Sequence, residues 1–548
     1  MKKISFIILS FITILTGCNE DKFLKESPKD QVYADNLFDT YTGFQLAKNA
    51  LLEFPRQERQ DKIQSAELGF VWKVGTDVAW ANTELSWSQA LNRYDPLLMN
   101  SEMQILNGDQ FGNPGLFLIL YRAINSANTI INRAENSNVN WEGSSEEENL
   151  ARKNEIIAHA KLIRAWAYRH LALTFGDVPL SLDEISGSNY KDDWERAPVS
   201  VIQEYMETDL LFAEQYLPDN AQDVSSLSKV IAQHYLTELY LWQNRNEEAV
   251  AKAMSVIKNT NFALIKNRFG VKKNEPGCAF MDQFYDGNVL PSQGNTETLW
   301  AFPNSEVTSL KGQYANTMKS TWGTDYAKLG IPYCFEYGGR AIARVSITAW
   351  VFTLYEPNDD RGSEYAIRRS YKKSDGSIIY TQTNPENMTP NSHQWASTRK
   401  WEWSFVEEVK WGERNSYADQ AYLRLADTYL LLAEALHKCG NNSTTDGAAF
   451  YINEVRKRAN ASEITAGDVT LDFILDERAR ELVTEELRRE TLVRTNKLVE
   501  RTRKYNHIAS GERDGGLGIQ DFHVLLPIPQ KVIDANASAK MEQNEGYN

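Results

Sequence analysis

Apolar and polar positions are arranged along this chain in two ways. Over 37–53, 115–134, 146–175, 200–216, 228–243, 247–258, 422–438 and 447–459, apolar residues return every three or four positions, the period of a helix with one buried face. Phe117, Leu120, Ile124, Ala127 and Ile131 carry that period through one such stretch. The stretch 146–175 predicts one long helix, stopped at Gly176-Asp177-Val178-Pro179, where glycine takes the left-handed C-terminal position and proline prevents continuation. From about 262 to 417 the helical period fades and Gly, Pro, Asn and Ser become frequent. That pattern predicts long loops with short strands and a few short helices, and loops of such length usually serve function. A last helix is expected over 471–498. Its dense alternating charge reads as an exposed face of i,i+4 pairs, Asp476 with Arg480 and Glu485 with Arg489. The tail from 522 onward reads as extended around Leu525-Leu526-Pro527-Ile528-Pro529.

The N-terminus has a different pattern. A basic start, Met1-Lys2-Lys3, is followed by an apolar run from Ile4 to Leu15, shorter than the roughly 20 residues a membrane span requires. The run closes on Leu15-Thr16-Gly17-Cys18, which resembles the lipobox of bacterial lipoproteins. An ordinary secretory signal with a chance cysteine is the plainer alternative. The resemblance implies cleavage before Cys18, lipidation of its thiol, and a mature protein tethered to a membrane by acyl chains. Each buried methylene of such chains contributes about 0.8 kcal/mol.

Two helix pairs refine the fold. The pair 228–243 and 247–258 resembles one tetratricopeptide repeat (TPR), with Leu236, Tyr240 and Ala249 at the offsets of that repeat and Asn244-Arg245-Asn246 as its turn. In the second pair, 422–438 and 447–459, Ala433-Glu434-Ala435 and Ala448-Ala449 place small residues where the helices cross. The expected fold is mainly α, a helical scaffold with several TPR-like helix pairs plus a loop-rich ligand-binding half with short strands. The expected division is a signal at 1–17, a lipidated tether at 18–36, an N-terminal part at 37–260 and a C-terminal part at 261–548. The last comprises a loop-rich insert (261–417), helices (418–500) and an extended tail (501–548).

Charge and reactive residues narrow the function. A formal charge of −15 argues against nucleic acid or anionic lipid as the main partner. Besides Cys18 the cysteines are Cys278, Cys334 and Cys439, too few for a disulfide framework and expected to be buried and unreactive. No two of the seven histidines have metal-ligand spacing on a helix, and GxSxG, P-loop and HExxH motifs are lacking. The sequence calls for no metal or cofactor. Glycoside hydrolysis needs only two suitably placed carboxylates, so an enzyme stays open as an alternative.

Several sequence blocks together resemble the SusD/RagB family of nutrient-binding lipoproteins of Bacteroidetes. Ala160-Lys161-Leu162-Ile163-Arg164-Ala165-Trp166-Ala167-Tyr168, leading to Phe175-Gly176-Asp177-Val178-Pro179-Leu180, is similar to the N-terminal signature of that family. Arg196-Ala197-Pro198, Asp209-Leu210 and Leu217-Pro218 continue it. Tyr422-Leu423-Arg424-Leu425-Ala426-Asp427, Ile452-Asn453-Glu454-Val455-Arg456-Lys457-Arg458-Ala459, the run Ile474 to Leu482 and Leu526-Pro527-Ile528-Pro529 resemble the later blocks. One departure is Arg488 to Thr495, which lacks the aromatic and Asp that often follow the paired arginines. The resemblance implies a non-catalytic surface lid that captures an oligosaccharide or polysaccharide for a SusC-type TonB-dependent outer-membrane transporter. A peptide ligand is the alternative within the family. Glu20-Asp21, next to Cys18, resembles the surface-export signal of such lipoproteins.

A sugar ring offers an apolar C–H face and a rim of hydroxyls, so a capture site pairs aromatic platforms with polar edges. Two loop-like stretches have that composition. One holds Trp72, Asp77, Trp80, Asn82, Trp87 and Arg93, although Trp72, Trp80, Trp87 and Tyr94 also suit one buried helix face. The other holds Trp322, Asp325, Tyr326, Tyr333, Tyr337 and Arg340 among Gly323, Gly330, Pro332, Gly338 and Gly339, and there Trp322 is the expected exposed platform. Trp395, Trp401 and Trp403 form a third group that also suits a core.

Overall fold

In the computed structural model the described residues are 37–547, apart from 64–65, 83–85, 102–105, 107, 109–113, 137, 188, 221–225, 305–315, 385–393, 403–411, 414–415 and 507–517. Cys18, Glu20, Asp21 and Trp403 therefore lie outside the described residues.

Helices dominate, as the periodic stretches predict. The principal ones are α1 (Tyr41–Leu51), α2 (Leu116–Asn136), α3 (Glu146–Phe175), α4 (Val199–Tyr216), α5 (Lys229–Trp242) and α6 (Asn246–Ile257). In the C-terminal part they are α7 (Leu425–Lys438), α8 (Ala448–Arg458), α9 (Leu471–Leu482), α10 (Arg488–Arg494), α11 (Leu498–Tyr505) and α12 (Gln530–Ala535). From α2 to α8 each helix packs on the next, and α7 also receives α9. This nearest-neighbour stacking is how helix-pair repeats bury a continuous core.

The central helix is α3. The Ser145 hydroxyl accepts the Glu148 N–H, and Glu146, Glu147 and Glu148 set negative charge against the positive end of the helix. Its second half, Ile156 to Phe175, is buried on nearly every side between α2, α4 and α10. Gly176 ends it at φ 73°, a left-handed conformation that glycine tolerates best, and a Cβ there would meet the Leu525 side chain at 2.8 Å. The C-terminal segment closes over that end. Leu526 N–H donates to the Thr174 carbonyl (2.8 Å) and Asn544 Nδ2 to the Phe175 carbonyl (2.9 Å).

The strands are short and stitch distant segments in pairs. β1 (Ala79–Ala81) lies antiparallel to β3 (Val345–Ile347) with Trp80 opposite Ser346. β2 (Thr298–Phe302) lies antiparallel to β4 (Gln420–Arg424), bringing the start of the insert to the start of α7.

Three expectations need correction. The single helix over 471–498 is broken: α9 ends at Leu482, Thr484 takes φ 72°, and α10 starts at Arg488. Its charges are buried and pair elsewhere. Asp476 receives Arg501, Arg480 pairs with Glu477, Glu485 receives Arg424 and Lys400, and Arg489 donates to the His523 carbonyl. The physical reason is that insert and tail bring complementary charges from far away in sequence, a cheaper partner for a buried ion than water it cannot reach. The tail is also not wholly extended, since α11 runs to Tyr505 and α12 follows. Of the cysteines only Cys278 is buried, its thiol pushed up to about 12 by burial, while Cys334 is half-buried and Cys439 exposed.

Candidate ligand-binding cleft in the loop-rich half

The loop-rich insert folds as several turns held from below. Tyr326, Tyr337 and Tyr371 form a buried cluster, Tyr326 stacked on Tyr371 at 5.3 Å and Tyr337 edge-on to both at 5.3 and 4.9 Å. The Tyr326 hydroxyl donates to the Gly339 carbonyl (2.7 Å) and accepts the Cys334 N–H (3.2 Å). These bonds fix the turn Phe335–Tyr337 from within. Gly338 completes it at φ 72° where any Cβ would collide with the Glu402 carbonyl, so a glycine is required. Held in this way, the turn points Phe335, 50% exposed, and Glu336 outward.

Facing them is a cleft of about 240 Å³ lined by Tyr285, Asp286, Phe335, Tyr365, Arg399 and Glu402, with Lys272 and Glu336 at its edges. Glu402 is its fixed base. Arg368 grips both its oxygens (2.9 and 2.5 Å) and Arg399 Nε donates at 2.9 Å. Burial alone would raise this carboxyl, but the Arg368 and Arg399 charges outweigh it and hold it below the ordinary carboxylate range. Asp286 is set the other way: burial, aided by the nearby Asp419 charge, pushes it up to about 6. Lys272 Nζ sits 4.9 Å from the Tyr285 ring centre. Three rings and both signs of charge thus converge on one concave surface.

The residues singled out in the sequence occupy other places. Trp322 is 3% exposed and belongs to the main core, so the exposed platform expected there is corrected to a packing residue. Tyr326 and Tyr337 are buried in the tyrosine cluster, with Tyr333 half-buried against Tyr326 at 5.6 Å. Asp325 is buried, and Arg340 Nη1 donates to the Gly412 carbonyl at 3.3 Å. Trp80 is 1% exposed and edge-on to Trp395 at 6.3 Å. Asp77 is fully buried between Arg488 (2.8 and 2.7 Å) and Arg501 (2.7 Å). Burial opposes its ionisation, but the two guanidinium groups prevail and lower its pKa. Asn82 is buried with its N–H on the Arg344 carbonyl (2.8 Å), while Arg93 is exposed at the end of a short helix, Ser86–Arg93. The side chain of Trp87 lies outside the described residues. Trp72, Trp80 and Tyr94 are all buried, but on a turn, a strand and a helix end, and not on one helix face. Large aromatics beside glycine-rich turns here bury one another, which removes more apolar area from water than display would. Tyr285, Asp286, Phe335, Tyr365 and Arg399 were not legible as a set, because they come from four separate turns. The one local signal was Phe335-Glu336 between Pro332 and Gly338-Gly339.

Residues 350–547 match the family model described as SusD family, and residues 56–241 match the model described as starch-binding associating with outer membrane. The chain belongs to the SusD family. Its matches include SusD-like protein P2 of Formosa agariphila, 25% identical over 507 residues that cover 88% of each chain. The starch-binding protein SusD of Bacteroides thetaiotaomicron is 39% identical over 129 residues, 24% of this chain and 22% of that one. Among solved structures, surface glycan-binding protein A from Bacteroides thetaiotaomicron in complex with laminarihexaose superposes with a TM-score of 0.68 at 17% identity, covering 92% of this chain and 99% of that one. The mainly helical, TPR-like SusD fold read from the sequence is thus the fold found. Among the described residues no helix is long and apolar enough to cross a membrane.

Proposed function

We propose that this SusD-family protein is a non-catalytic cell-surface lipoprotein that captures an oligosaccharide or polysaccharide in the cleft between Tyr285, Phe335 and Tyr365. The observation that carries this reading is the cleft itself. Aromatic rings suit the C–H faces of sugars, while Asp286, Glu336 and Arg399 suit the hydroxyl rim. Relatives whose names include starch or laminarihexaose binding support the ligand class. Lipid on Cys18 would hold the protein at the outer membrane, where a SusC-type TonB-dependent transporter takes over the captured glycan. The family resemblance supports that partner.

A panel of neutral and acidic polysaccharides in affinity gels, with calorimetry on any that retard the protein, tests this reading. Phe335→Ala is expected to weaken binding about tenfold, in line with 1–3 kcal/mol for a stacked ring. Binding that survives both Phe335→Ala and Tyr365→Ala would remove the cleft from consideration. Asp286, raised to about 6, is the cleft carboxyl best suited to donate a proton, so release of shorter sugars by the purified protein would overturn the non-catalytic claim. Affinity purification from native outer membranes is expected to bring down a β-barrel of transporter size.

A further inference from the structure

A second, larger cavity of about 650 Å³ lies apart from the cleft, on the helical side, among α2, the loop 179–194 and α12. Its walls are mainly apolar, with Phe117, Leu118 and Tyr121 from α2, Trp194 from the loop, and Val532 and Met541 from the C-terminal segment. Leu118 is 42% exposed and Tyr190, at the rim, 70%, which is unusual for large apolar groups unless something covers them. The volume falls within the few hundred to about a thousand Å³ typical of small-ligand pockets.

Two observations define what fits there. The first is that the polar groups in the wall are already used. Asn125 donates Nδ2 to the Ile185 carbonyl (3.0 Å) and accepts the Ile185 N–H (2.7 Å). Asn536 does the same with both backbone groups of Trp194 (2.7 and 2.9 Å) and reaches the Ala539 carbonyl (2.8 Å). The Tyr121 hydroxyl donates to the Pro179 carbonyl (2.5 Å). These bonds hold the loop to the helices, leaving little to satisfy the hydroxyl rim of a sugar. The second is charge. Arg122, Lys191 and Lys531 line the cavity and no carboxylate does, on a chain of net charge −15. Lys191 Nζ has Asp193 at 3.6 Å and the Trp194 ring centre at 4.6 Å. Arg122 and Lys531, by contrast, have no ion-pair partner among the described residues.

We propose that this cavity binds a small amphipathic anion, separate from the glycan cleft. An aliphatic or aromatic body packs against Phe117, Leu118, Trp194 and Met541, and a carboxylate or sulfonate head meets Arg122 and Lys531. The inference stands on these residues alone and does not depend on the glycan reading.

Fluorescence titration of the full mature protein with 1-anilinonaphthalene-8-sulfonate, followed by displacement, provides the test. Saturable binding at one site is expected, displaced by decanoate at least tenfold better than by decanol. The charge-reversed pair Arg122→Glu/Lys531→Glu should weaken decanoate at least tenfold, and Ser126→Trp, which fills the cavity from α2, should abolish it. Melting temperatures check that both variants fold. Phe335→Ala in the cleft should leave decanoate binding unchanged. Failure to saturate, equal displacement by decanol, or insensitivity to both cavity variants would overturn the proposal. So would displacement by an acidic peptide or oligosaccharide but not by decanoate. If a variant fails to fold, the decanoate-to-decanol ratio on the unaltered protein still decides.

Discussion

Around α3 the buried residues are leucines, isoleucines and alanines that meet α2 and α4 through close, non-directional contacts. Where the insert meets α7, α8 and α9, the buried residues are mostly charged. Arg424 joins Glu297 (2.8 Å), Glu481 (3.0 Å) and Glu485 (2.6 Å), while Arg458 joins Glu297 (2.8 Å) and Glu481 (2.5 Å). Arg361 from the insert joins Asp359 and Glu477, each at 2.8 Å, and Arg456 shares Glu477 at 2.8 Å. The two junctions solve different problems. A helix with an apolar face has a strong periodic signal and can find its neighbour by burial alone. A loop without period lacks that signal, and a guanidinium fork that fits only one carboxylate supplies the missing register. Such networks bring less net stability than their contact list suggests, because desolvation of each ion offsets much of the attraction.

Breaking one member of the network should therefore be the most costly single change. Glu481→Ala strands Arg424, Arg458 and Arg361 without solvent and is expected to destabilise by about 3–5 kcal/mol in urea unfolding. A loss below about 1 kcal/mol would mean that water replaces the carboxylate easily. Acid should act on the same junction. Burial opposes ionisation of Glu477, but Arg361, Arg480 and Arg456 overcome it and hold the group at about 2; Arg494 and then Lys438 do the same for Glu434. Because these folded values lie below the ordinary 4.5, their stabilisation is complete above about pH 4.5 and is lost as pH falls toward 2. The loss is on the order of 3 kcal/mol for each group, and Glu434→Gln should flatten the stability curve over that window.

The apolar junction should yield less. Ala433 is fully buried in α7 where α6 and α8 cross it, and Ala433→Leu is expected to cost about 1–3 kcal/mol by overpacking, read as a lower melting temperature. Smallest of all should be Phe335→Ala, whose half-exposed ring is not part of either junction. Its stability change should stay within about 0.5 kcal/mol even as glycan affinity falls. A larger loss of stability would move Phe335 from the ligand surface into the framework.

The same contrast explains what could be read from the chain. The span expected for α3, 146–175, coincides with the helix observed, because cap, period and glycine stop all agree there. The helix pairs α5–α6 and α7–α8 fall within a few residues of expectation for the same reason. At 471–498 the spacing of Glu and Arg suits solvated i,i+4 pairs as well as buried partners, and only tertiary contact with Arg361, Lys400 and Arg424 separates the two. The aromatic stretches posed the converse problem. Glycines around Trp322 and Tyr326 signal turns, but turns can close over their own rings, and Tyr371 is remote in sequence from the ring it stacks on. Phe335 and Tyr285 meet only after the tyrosine cluster has set the turn between them.

The clasp of the C-terminal segment on α3 also has a history in time. The Phe175 carbonyl is complete in the growing chain 369 residues before Asn544, which satisfies it, exists. At synthesis rates of about 5–20 residues per second, that interval is roughly 20–70 seconds. Throughout it, the seat that Leu525 fills beside Gly176 lies open. A nascent chain of this protein therefore carries an uncovered apolar notch for most of its birth, a natural holding point for a chaperone, and one that disappears only when the last residues arrive.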